Sequence, residues 1–94
     1  MEPDNNMSRV VNGRRYTVKT AKLLADNAYW MSQSFEIDRN DTFLYRTPKG
    51  YFFRVNVSNN GKQDTFIPLS RDEAISLYQE LNDPDAIPFD EAFN

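Results

Sequence analysis

The sequence predicts an α+β domain: a three-stranded antiparallel meander over residues 42–47, 51–57 and 63–69, an N-terminal hairpin, and two helices over 18–29 and 70–82 packed on one face. Three observations carry that prediction. Two stretches rich in aromatic and β-branched residues flank Pro48-Lys49-Gly50, Asn-Gly pairs stand at two further places where an extended chain must reverse, and Ser70-Arg71-Asp72-Glu73 has the residue pattern that opens a helix.

In chain order, residues 1–7 read as a polar, disordered leader. Residues 8–11 and 14–16 flank Asn12-Gly13, a pair suited to the positive φ angles of a two-residue hairpin turn. Val18, Ala21, Leu24, Ala25 and Ala28 recur three and four apart, with Lys19, Lys22 and Asp26 facing outward, which predicts an amphipathic helix capped by Thr17 or Thr20. Its small apolar side chains would let it lie close across the strands. Periodicity fails from Trp30 to Arg39, a connecting segment with a short strand at 35–37 as its only extended candidate.

Pro48 presets φ for the first position of a three-residue loop and Gly50 suits the left-handed last one. That loop pairs Thr47 with Tyr51, Tyr45 with Phe53 and Phe43 with Val55 on an apolar face, and Arg46 with Phe52 and Leu44 with Arg54 on a mixed one. A two-residue loop would scatter the aromatics over both faces, so burial selects the longer one. Asn60-Gly61 returns the chain into a third strand with Phe66 opposite Val55.

Ser70 and Glu73 form a capping box ahead of the stripe Ala74, Leu77, Tyr78 and Leu81, with Ile75 at its edge, and Asn82-Asp83-Pro84 ends the helix. Residues 8–82 are thus one domain, followed by an acidic aromatic tail over 83–94. Two placements suit the tail: docking Ile87, Phe89 and Phe93 into a partner's groove, or turning at Pro88 so that Phe89 plugs the domain's own core.

Composition narrows the chemistry. The 94 residues include neither cysteine nor histidine, which removes disulfides, thiolate catalysis and the commonest general base and transition-metal ligand. The pairs Asp38 with Asp41, Asp72 with Glu73, and Asp90 with Glu91 suit turns, a helix N-terminus and a solvated tail better than acid–base work. Residues 38–41 lack the glycine and the bidentate Glu of a calcium loop, and each glycine is explained by a turn, so no metal, nucleotide or other cofactor is expected. The reading is of a non-enzyme. A polar start and the absence of any long apolar run fit a cytoplasmic protein without a membrane partner.

Charge is segregated. All 11 Lys and Arg lie at or before Arg71, whereas residues 72–94 carry seven acids and no base; the net charge is −3. That balance disfavours direct nucleic-acid binding, which rests on Lys and Arg neutralising phosphates. Candidate partner-binding residues are Asp72, Glu80, Asp83, Asp85, Asp90 and Glu91 on the acidic helix and tail with the aromatic Phe89 and Phe93, and Arg46, Phe52 and Arg54 on the mixed sheet face. The same mixed face would serve a nucleic-acid or small-ligand module as the alternative. Open edges of a short meander also offer strand pairing to a second copy, and hence a homodimer.

The order Arg15-Tyr16-Thr17 before Thr20-Ala21, then Leu44-Tyr45-Arg46-Thr47 with Gly50, Phe52 and Phe53, then Ile67-Pro68-Leu69-Ser70 with Glu73-Ala74 resembles small uncharacterised proteins of phages and bacterial mobile elements. The likeness spans roughly residues 14–82 and rests on structural signals, and the tail lies beyond it. What the resemblance implies is a setting rather than a site: compact non-enzymatic inhibitors of host defence, anti-CRISPR inhibitors among them, acting on a host protein or nucleoprotein complex.

Overall fold

The computed structural model describes residues 3–31, 40–58 and 64–94. Strands β1 (Ser8–Val11) and β2 (Arg14–Thr17) form the first hairpin. Asn12 and Gly13 have φ of 52° and 77°, so both turn residues are left-handed, the primed turn whose twist matches that of the strands. Residues 3–7 are not a loose leader. Pro3 is buried, Met7 packs on the core, and its carbonyl accepts the Val18 N–H at 3.1 Å.

The helix expected over 18–29 does not form. Residues 18–21 make a turn in which the Ala21 N–H reaches the Thr17 and Val18 carbonyls, and β3 (Lys22–Asp26) then pairs antiparallel with β4 (Asn40–Arg46). The register slips between Leu23 and Ala25, a bulge that sends two neighbouring side chains, Leu24 and Ala25, into the same cluster. Taken with Val18 and Ala21 in the turn before the strand and Ala28 after it, this adjacent pair completes apolar spacings of three and four, and so imitates a helix. Only one helical turn follows, α1 (Ala28–Met31), opened by an Ala28 N–H bond to the Asp26 carboxylate at 2.9 Å.

The second hairpin has the expected register. β4 pairs with β5 (Phe52–Ser58) so that Phe43 faces Val55, Leu44 faces Arg54, Tyr45 faces Phe53 and Arg46 faces Phe52. Gly50 takes φ of 89°, and the Thr47 side chain and backbone tie the turn to Tyr51. β6 (Thr65–Leu69) continues the meander with Phe66 opposite Val55, giving a four-stranded sheet in the order β3-β4-β5-β6. Pro68, opposite Phe53, lies on this last strand. The expected strand at 35–37, the turn at Asn60-Gly61 and the first residue expected in β6, Gln63, lie outside the described residues.

α2 (Arg71–Leu81) has the capping box: Ser70 Oγ accepts the Glu73 N–H at 3.1 Å and the Glu73 carboxylate accepts the Ser70 N–H at 2.9 Å. Ala74, Leu77 and Leu81 are its buried stripe, with Ile75 and Tyr78 half-buried, and Asn82 closes it in the left-handed conformation. The tail turns back and ends in α3 (Phe89–Phe93). Between the two placements left open, the domain itself takes the tail, through Phe93 rather than Phe89.

Three layers result. The apolar sheet face is covered by the N-terminal hairpin, where Tyr16 and Val18 pack on Phe43, Tyr45, Phe53, Val55 and Val57. The mixed face is covered by α2 and α3, whose Leu77, Leu81 and Phe93 pack on Leu24, Leu44 and Phe52. The mixed face therefore gives no open outer surface at Phe52, because each Leu or Phe removed from water stabilises the fold by about 1.5–3 kcal/mol and Leu24, Leu44, Phe52, Leu77, Leu81 and Phe93 are all buried on this side.

Candidate functional site

The candidate site residues separate into two groups. Arg46 and Phe52 do structural work at the α3 end of the sheet. The Arg46 guanidinium donates to the Ala92 carbonyl at 3.2 Å and the Asn94 carbonyl at 2.9 Å, and Arg71 donates to the Phe93 carbonyl at 3.0 Å. Phe52 is 6% exposed and its ring lies 5.3 Å from that of Phe93, itself 6% exposed. Neither phenyl ring is available to a partner, which corrects their assignment to a binding surface.

Asp83 is also occupied. Its carboxylate accepts the Asp26 N–H and the Asp85 N–H, both at 2.9 Å, and so ties the end of α2 to the end of β3. The corner is acidic, and burial pushes the Asp26 carboxyl up; the Ala28 N–H pulls it down, and Asp83, Asp85 and Asp41 push it up again. Glu91 is paired with Lys22 at 2.7 Å on the surface. Phe89 is 42% exposed beside Tyr78, and Asp85 and Asp90 face solvent.

The second group meets along α2. Arg54 projects from β5 beneath one flank of the helix, and Asp72, Glu73, Ser76 and Glu80 line the groove above it, a cavity of about 340 Å³. It runs on past Arg54 and Glu80 to Trp30 and Thr42 in a second hollow of about 290 Å³. The helical period places residues 72, 73, 76 and 80 on one flank, which is why acids scattered in sequence become one rim. At the floor, Arg54 Nη2 and Thr42 Oγ1 both donate to Asn56 Oδ1 at 3.1 Å, while the buried Arg54 Nε has no acceptor among the described residues. The Glu73 carboxyl is held below its ordinary range by the Ser70 N–H and hydroxyl. Trp30 closes the far end, 42% exposed, with its indole N–H bonded to the Asn82 carbonyl at 3.1 Å.

Sequence reasoning had Arg54, Asp72 and Glu80 but set them on separate surfaces; the placement of α2 over the mixed face unites them. It missed Trp30 and Glu73 as rim residues. It also missed a basic cleft at the β4–β5 turn, on the side of the sheet covered by the first hairpin, where Arg14, Arg15, Lys49, Thr47 and Tyr51 surround about 340 Å³. The available signal was that both hairpin turns carry bases, Arg14-Arg15 after Asn12-Gly13 and Lys49 within Pro48–Gly50.

Among the described residues no group of carboxylates is arranged to hold a metal ion, and no helix is long and apolar enough to cross a membrane. Compared with protein-family models, curated proteins and solved structures, the chain gives no match in any of the three.

Proposed function

We propose that this is a non-enzymatic binding protein that docks the acidic flank of α2 on a basic protein or nucleoprotein surface. The kind of partner follows from the resemblance to phage and mobile-element proteins: a host defence complex, inhibited in the cytoplasm of a bacterial cell as anti-CRISPR inhibitors do. The observation that carries the reading is the groove beside α2, where Asp72, Glu73 and Glu80 are exposed on a rigid, capped helix. Carboxylates held this way present a fixed negative field, which speeds encounter with a basic surface and sets its orientation. Trp30 and Arg54 at the groove supply the residue types that anchor interfaces.

The test is affinity capture from bacterial lysate with the parental chain and with Asp72→Lys/Glu80→Lys. These side chains are exposed and the substitutions leave the core intact. The partner held by the parental chain should be lost or held only at low salt by the variant. Equal recovery of the same partner at physiological salt would remove the acidic flank from the interaction.

A further inference from the structure

The basic cleft brings together cations that are remote in sequence. Arg14 and Arg15 open β2, Lys49 sits in the β4–β5 turn, and packing of the first hairpin on the apolar sheet face sets the two turns side by side. None of the cleft's lining residues is a carboxylate. Among the described residues Arg14, Arg15 and Lys49 have no acidic partner. A chain of net charge −3 thus gathers three unneutralised positive charges around one hollow. Such mutual repulsion is relieved when an anion enters.

The donors are also in place beforehand. The Arg14 guanidinium lies 4.3 Å over the Tyr51 ring, which holds its planar fork at the cleft and lowers the entropy lost on binding. Thr47 Oγ1 accepts the Tyr51 N–H at 3.0 Å, leaving its own hydroxyl hydrogen to donate. Guanidinium forks, an ammonium and a hydroxyl are the donor set that suits phosphate oxygens.

We propose that this cleft binds the phosphate groups of a compact ligand of the pyrophosphate or nucleoside polyphosphate class. Its volume of about 340 Å³ falls at the lower end of the roughly 300–1,000 Å³ of small-molecule sites. Two observations favour a compact ligand over a nucleic-acid strand. The cations of the adjoining hollow are engaged, Lys22 with Glu91 and Arg46 with the carbonyls of Ala92 and Asn94, so that hollow does not extend the basic cleft. The Tyr51 face that a base would stack on is taken by Arg14. The site is independent of the acidic flank of α2, and either can fail without the other.

Calorimetric titration at constant ionic strength with inorganic pyrophosphate, ATP and a short single-stranded oligonucleotide tests it. Saturable binding of the two small phosphates is expected, weakened about tenfold or more in Arg15→Gln/Lys49→Gln by the loss of charge-assisted hydrogen bonds. The charge-matched Arg9→Gln/Lys19→Gln, outside the cleft, should stay within about twofold of the parental affinity because screened charges act weakly at a distance. NMR titration of the parental chain with pyrophosphate should move the amides of Gly13, Thr47 and Tyr51, a readout that needs no variant to fold. Absence of small-phosphate binding at low salt, equal losses in both variants, amide shifts confined to other regions, or tighter binding of the oligonucleotide would each overturn the assignment.

Discussion

Asp26 shows how a single carboxyl is set by its surroundings. Its folded-state affinity for a proton is raised, first by burial and then by Asp83, Asp85 and Asp41, while the Ala28 N–H opposes the rise. A carboxyl raised on folding binds its proton more tightly in the native chain than in the unfolded one. Its ionised form therefore costs stability at neutral pH, and the cost disappears as pH falls through the raised value to below the ordinary Asp range. Asp26→Asn keeps an oxygen for the Ala28 N–H and removes the charge. Urea melts should find this variant more stable than the parental chain near neutrality, with the gap closing at about pH 3. None of this was legible in the sequence, where Asp26 occupies the outward side of an apparent helix; its half-buried place belongs to a strand that only β4 can specify.

Elements whose signals are local were the ones the sequence could declare. Pro48 and Gly50 dictate the loop, the loop dictates the register, and Phe43 then has no choice but to face Val55. The α2 cap is equally local, with both halves of the capping box supplied by residues three apart. Ser70→Ala should cost about 1 kcal/mol of stability, measured as a lower urea midpoint with an unchanged slope; an unaltered midpoint would mean that packing alone holds the helix start. β3 failed because a bulge is a property of the pair. The slip between Leu23 and Ala25 buries Leu24 and Ala25 together, and with Val18, Ala21 and Ala28 on either side of the strand the pair matches the three-and-four spacing that a helix would show.

Across the whole molecule, what could not be read was which layer covers which sheet face. The sequence distinguished an apolar face from a mixed one but had no means of assigning the hairpin to the first and the helices to the second, since that choice is made by contacts far apart in the chain. Much of the candidate site depended on it: the groove exists because α2 crosses above Arg54, and the basic cleft because the hairpin lies over Phe53 and Tyr45. The tail is likewise part of the domain. Ala92 and Phe93 are in the core, the Tyr78 hydroxyl bonds the Ile87 carbonyl at 2.6 Å, and Arg46 and Arg71 hold the final carbonyls. Loss of a core Phe ring alone costs about 3–5 kcal/mol, set against a total of about 5–15 kcal/mol for a native domain. A chain ending at Asn82 should therefore lose most of its cooperative thermal transition by circular dichroism. A transition unchanged in midpoint would show the tail to be dispensable.

The two margins of the sheet are each interrupted. Along β3, the Leu24 carbonyl is already engaged by the Ile87 N–H at 2.9 Å. Along β6, Pro68 removes one donor from the row, and proline is tolerated on such a strand where its nitrogen points away from the neighbour. A second copy arriving at either border meets a broken template instead of a continuous one. Strand pairing across either border of this sheet would start from an interrupted ladder, so concentrated solutions are expected to stay free of fibrous precipitate, as light scattering would check.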